Sequence, residues 1–122
     1  MRYLCLGYYA PDKFDQMSAA EGAALADKCR RYDEELRNSG HLLSVASLEH
    51  RKAVTIRPRD GRPAVHDGPF AEAKEVVGAF FLIEAKDLDE AIRVASLHPA
   101  ANYGEDLGWG IEVRPIGRFD QL

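Results

Sequence analysis

A chain of 122 residues, 46% of them hydrophobic, is long enough for one domain with a core that needs no disulfide or metal staple. A formal charge of −4 argues against general nucleic-acid binding, and two cysteines without CxxC spacing make neither a disulfide framework nor a zinc site. The longest apolar run, Val76 to Ile83, is too short to cross a bilayer, and the first seven residues offer no convincing cleavage site, so a cytoplasmic protein is expected.

Tyr3 to Tyr9 reads as a strand that is apolar on both faces and therefore central. Pro11-Asp12 breaks it. Ser18 with Glu21 three residues on is a capping box, and the helix it opens places Gly22, Leu25, Cys29, Tyr32 and Leu36 on one stripe. Gly40 ends that helix in the left-handed position where a missing Cβ removes the steric penalty. His41 to Leu48 is a second strand. Ala53 to Pro58 and Pro63 to His66 are two short strands around Asp60-Gly61, a dipeptide suited to a tight hairpin turn. Pro58 and Pro63 lack ladder donors, which places this hairpin at a sheet edge.

Val76 to Ala85 is the long strand. Asp87 and Glu90 signal a second helix start, with Leu88, Ala91, Ile92 and Ala95 as its apolar face and His98-Pro99 as its stop. Ala100 to Gly108 is a loop, and Trp109, Ile111 and Val113 alternate with polar or small residues in a half-buried last strand. No repeat or linker divides the chain, so residues 1–122 form a single domain.

Leaving the edge hairpin aside, the order is βαββαβ, a ferredoxin-like α+β pattern with both helices on one face of an antiparallel sheet. The strands at Tyr3–Tyr9 and Val76–Ala85 are apolar at odd and even positions alike, so the helix-free face also needs cover. Two copies packed face to face, as a homodimeric α+β barrel, supply it.

His66-Asp67-Gly68-Pro69-Phe70-Ala71-Glu72, with Lys74-Glu75 behind it, gathers ionisable groups at the mouth of the most buried strand. Asp67 through Glu72 resembles the signature of the DGPF branch of the YCII-related domain family. Arg2-Tyr3, the helix start at Asp87-Leu88-Asp89-Glu90-Ala91 and the closing Ile111-Glu112-Val113-Arg114-Pro115-Ile116 agree with it, so the resemblance spans almost the whole chain. It implies a dimeric α+β barrel and a function that is largely uncharacterised in the family. A His–Asp pair in a cleft is suggested for the wider family, some relatives resemble muconolactone-processing enzymes, and similar domains occur beside extracytoplasmic-function sigma factors. The motif carries over Asp67. It carries over no histidine, because many proteins of the DGPF branch have a hydroxyl residue where this chain has His66.

The chemistry leaves two classes open. A small-molecule enzyme of proton-transfer or lyase type would use Asp67 and His66 as catalytic groups, with Glu72, Lys74 and His98 contacting the ligand. Each has a plainer role: Asp67 as a hydrogen-bond acceptor in its own Gly-Pro turn, Glu72 and Lys74 as solvated turn residues, and His98 as a cation at a helix end. The other class is a non-catalytic ligand-sensing or protein-interaction module, associated with sigma-factor regulation if the resemblance extends that far. A polar group facing an apolar cleft favours the enzyme, and an exposed motif favours the module. The basic residues Arg51, Lys52, Arg57, Arg59 and Arg62 read first as charges that protect an edge, and second as an anion-binding or docking patch. His41 and His50 bracket a strand and carry no further signal. No cofactor, metal, membrane or direct nucleic-acid contact is expected; an unidentified small molecule and a second copy of the chain are.

Overall fold

A computed structural model describes residues 1–122. It contains β1 (Arg2–Tyr9), α1 (Pro11–Asp15), α2 (Ala19–Arg37), β2 (Leu42–Ser47), β3 (Val54–Arg59), β4 (Arg62–Asp67), β5 (Val76–Glu84), α3 (Leu88–Ala95) and β6 (Gly110–Pro115). Two short 3-10 turns, Pro99–Ala101 and Glu105–Leu107, occupy the stretch expected as loop. The main sheet is antiparallel in the order β2-β5-β1-β6, the ferredoxin-like α+β arrangement expected from the element order. The two strands with continuous apolar sequence, β1 and β5, are the central pair.

The helix starts follow from local chemistry. At Ser18 both halves of the capping box form: the Glu21 N–H donates to the Ser18 hydroxyl at 3.1 Å, and the Ser18 N–H donates to the Glu21 carboxylate at 3.2 Å. Asp87 accepts from the Glu90 N–H at 2.9 Å in the same way. The α2 stripe is where the 3.6-residue period puts it, with Cys29 and Leu36 buried and Gly22, Leu25 and Tyr32 half-buried. Leu36 joins Tyr3, Cys5, Phe81 and Ile83 of the central strands and Ala91, Val94 and Ala95 of α3 in one core. The Cys5 thiol is fully buried there, and desolvation pushes its pKa up to about 12.

Pro11 ends β1 as expected and also stands at the first position of α1, where its missing N–H costs nothing. Three expectations need correction. The face of α3 that meets the core is Ala91, Val94 and Ala95, while Leu88 and Ile92 remain exposed, because the small alanines let the helix approach the sheet closely. That helix ends at Ala95, ahead of His98-Pro99. The β3–β4 hairpin is not an edge of the main sheet but a separate two-stranded ribbon. Its turn is as read, with Asp60 and Gly61 both at positive φ (51° and 76°), the geometry of a type I′ hairpin.

Leu4, Leu6, Phe80 and Leu82 lie opposite one another on the face of the main sheet away from the core, and all are only half-buried. Tyr8 crosses this face to donate to Glu112 at 2.9 Å.

Candidate functional site

The motif lies on the surface. Asp67 and every residue from Pro69 to Glu75 are exposed, and none of His66, Asp67, Glu72 or Lys74 has a side-chain hydrogen bond or ion pair. The turn is held by other groups. Gly68 donates its N–H to the Ala53 carbonyl at 2.8 Å, and the buried Thr55 hydroxyl donates to the Gly68 carbonyl at 2.8 Å. Arg57 donates to the Phe70 carbonyl at 2.9 Å and lies 3.9 Å above the Phe70 ring, so this arginine folds the motif onto the hairpin. The plainer role expected for Asp67, accepting a hydrogen bond within its own turn, is filled by Thr55 and backbone.

His98 stands apart from that group. Its ring stacks on Phe81 with centroids 4.9 Å apart and planes 1° apart, and its Nδ1 accepts the Ala100 N–H at 3.0 Å. It does cap a turn, but through a lone pair. Burial lowers its pKa, against a smaller upward pull from Asp33, so the neutral imidazole is favoured and not the cation a helix dipole would prefer.

The best-organised ionisable group in the molecule lies where no motif marks it. At the end of β1 the Tyr9 hydroxyl is 2.7 Å from His50 Nδ1, and His50 Nε2 is 2.7 Å from Asp15 Oδ1. Asp15 closes α1, and His50 follows β2. β5 runs between β1 and β2, so Tyr9 must reach across it. It does so over Gly78: a Cβ built there would stand 2.5 Å from Tyr9 Cδ1, so only glycine leaves room for the ring. Phe14 of α1 covers the imidazole, with centroids 4.4 Å apart, and meets Tyr9 edge-on at 6.0 Å. His50 thus touches aromatic surface while keeping a hydrogen-bond partner at each nitrogen.

Next to it, Arg51 holds the carboxylates. Its Nε donates to Asp15 Oδ2 at 2.9 Å and its Nη2 to Asp12 Oδ1 at 2.6 Å. Arg51 adopts φ 55°, a left-handed backbone unusual for a residue with a side chain, and its ion pairs hold it there. Hydrogen bonds from His50 and then Arg51 hold the Asp15 carboxyl below the usual carboxylate range. An ionised Asp15 only accepts, so His50 Nε2 donates to it, and in the neutral imidazole Nδ1 is then the acceptor for the Tyr9 O–H. The arrangement is a hydrogen-bonded chain of Asp15, His50 and Tyr9. No cluster of three or more His, Cys, Asp or Glu side chains with metal-ligand geometry forms in the chain.

Sequence reasoning passed over this group because its members come from β1, α1 and the β2–β3 connection and meet only on folding. One signal was available: Gly78 interrupts an otherwise bulky strand, and a glycine inside a strand marks a close approach.

The family model of the YCII-related domain matches residues 1–120. The chain is also 40% identical over 91 residues to the uncharacterized protein R00369 of Rhizobium meliloti (strain 1021), an alignment that covers 74% of this chain and 68% of that one.

Proposed function

The chain belongs to the YCII-related domain family, and on that premise we propose that it is a small-molecule proton-transfer enzyme whose acid–base group is Tyr9, relayed through His50 to Asp15. The observation that carries this reading is the pair of 2.7 Å contacts on either side of one imidazole. In the forward step Tyr9 passes its proton to His50 Nδ1, and the phenolate oxygen takes a proton from the substrate. The imidazolium so formed is stabilised by the Asp15 carboxylate, and the return step restores both protons. Substrates suited to this are small carbonyl compounds with an acidic C–H, for which enolisation or isomerisation needs only a base that returns what it takes. The working unit in this proposal is a homodimer closed over the helix-free sheet face, where Leu4, Leu6, Phe80 and Leu82 otherwise meet water.

The test is exchange of substrate C–H for solvent deuterium over a panel of small keto acids, lactones and hydroxy ketones. Wild-type protein should exchange at least one of them. Tyr9→Phe should abolish the exchange while keeping the melting temperature within a few degrees. Exchange by Tyr9→Phe and His50→Gln at the wild-type rate removes the relay from the chemistry.

A second reading rests on the exposure of Asp67 and of Pro69 to Glu75, which suits a recognition surface better than a reaction site. In it Asp67, His66, Glu72 and Lys74 contact a ligand or partner without reacting. Asp67→Asn, which removes charge but little shape, then weakens ligand-dependent thermal stabilisation without touching exchange.

A further inference from the structure

We propose that the β3–β4 hairpin is an arm that docks into the groove between α3 and β6 of a second copy of this chain. This goes beyond the relay and does not depend on it.

The ribbon has one largely apolar face, with Asp67 at its base as the one charged residue. Cross-strand pairing sets Ile56 against Val65, Pro58 against Pro63, and Val54 against Asp67, and all of these side chains point away from Thr55. Val54, Ile56 and Val65 are 61%, 62% and 66% exposed, while Thr55 on the other face is buried beneath the Gly68 turn. A two-stranded ribbon is marginal in water unless a third layer covers it. The motif residues fold under the opposite face through Arg57 and Phe70, so the apolar face is the one left open. Arg59 and Arg62, paired across the strands at the tip, start from the Thr55 side of the ribbon, flank its apolar face only from the end, and have no ion-pair partner in their own chain.

The complementary surface lies on the same molecule. Between α3 and β6 there is an open groove of about 770 Å³, floored by Ile92, Trp109, Ile111 and Val113 and rimmed by Glu105 and Asp106. Ile92 remains exposed there although it sits on an otherwise apolar helix face, and neither acid is engaged in an ion pair. An apolar ribbon with a basic tip matches an apolar groove with an acidic rim. The chain's own arm is badly placed to use it. The arm springs from the end of β2, one edge of the main sheet, and the groove follows β6, the other edge. A second copy related by a two-fold axis brings each arm to the other's groove and covers both surfaces twice.

Disulfide trapping tests the placement, because the native Cys5 and Cys29 are buried and do not compete. Copies carrying Ile56→Cys are mixed with copies carrying Ile92→Cys and oxidised mildly. A mixed disulfide should dominate, with little product when either variant is oxidised alone. Like-with-like crosslinks, or none above a control carrying a cysteine at Lys86, overturn the docking. The charge match is read by sedimentation: Arg59→Glu with Arg62→Glu should weaken the dimer at least tenfold, and adding Glu105→Lys with Asp106→Lys to the same chain should restore it. A dimer indifferent to both exchanges overturns the proposal, even if it still pairs through the main sheet.

Discussion

Gly78→Ala should be more damaging than alanine at Gly7 or Gly110, the other glycines of the main sheet, where a Cβ meets nothing closer than 3.4 Å. The new Cβ would meet Tyr9 Cδ1 at 2.5 Å and Cε1 at 2.8 Å. Carbon atoms rest about 3.5–4.0 Å apart, so the ring must retreat by roughly 1 Å or more. Such a shift stretches the 2.7 Å contact with His50 past the range of a hydrogen bond. Overpacking costs about 1–3 kcal/mol and the lost bond about 1, while alanine recovers about 0.5–1 over glycine in a strand. The net loss is then about 1–3.5 kcal/mol, or about 4–14 °C in melting temperature for a domain of this size. Thermal unfolding followed by circular dichroism measures it. The decisive comparison repeats Gly78→Ala in a Tyr9→Ala background, where the ring is gone and alanine should be neutral or stabilising. An equal cost in both backgrounds, or a stabilised single variant, would refute the account of why this strand carries a glycine.

Acid should loosen the clasp at Asp15. Its folded pKa lies below the ordinary carboxylate value of 3.8, so the stability it contributes is present above that value and disappears as pH falls through the folded pKa. Urea titrations between pH 7 and pH 3 should show a shallower acid limb for Asp15→Asn than for wild type. His98 acts in a higher window. Burial holds its pKa below 6.5, so stability is greatest above 6.5 and falls as pH drops from there toward the folded pKa; His98→Gln should flatten that segment. At the motif, Asp67→Ala should change stability by less than about 0.5 kcal/mol because its carboxylate bonds to nothing, and Thr55→Val should cost about 1–3 kcal/mol by leaving the Gly68 carbonyl without its donor. Chevron analysis of the two variants separates these outcomes.

Most of the architecture was legible because its causes are local. The step of three and four residues from Gly22 to Leu36 is read from sequence alone, and so are the Ser18 and Asp87 caps and the Asp60-Gly61 turn. What escaped depends on how closely elements approach. Leu88 and Ile92 have the hydrophobicity of core residues, yet Ala91 and Ala95 occupy the contact because small side chains admit the sheet. The motif was visible but its accessibility was not, since an exposed Asp67 and a buried one look alike in a string of letters. Tyr9, Asp15 and His50 could not have been associated without the fold, because nothing in their spacing distinguishes a relay from three unrelated polar residues.

The position of β1 has a consequence for the order of assembly. It precedes every other strand of this sheet in the chain and is one of the two central strands of the finished sheet. Its ladder partners arrive late: Tyr9 pairs with Val76, Arg2 with Glu84, and Cys5 with Val113. Until β5 has been synthesised, an apolar segment that ends buried has no neighbour to pair with, and α2 and β2 have no sheet to pack on. Closing such distant contacts is entropically expensive and makes folding slow relative to domains built from neighbouring elements. Tyr3, Cys5 and Leu6 therefore stay without their ladder partners until β5 has been made.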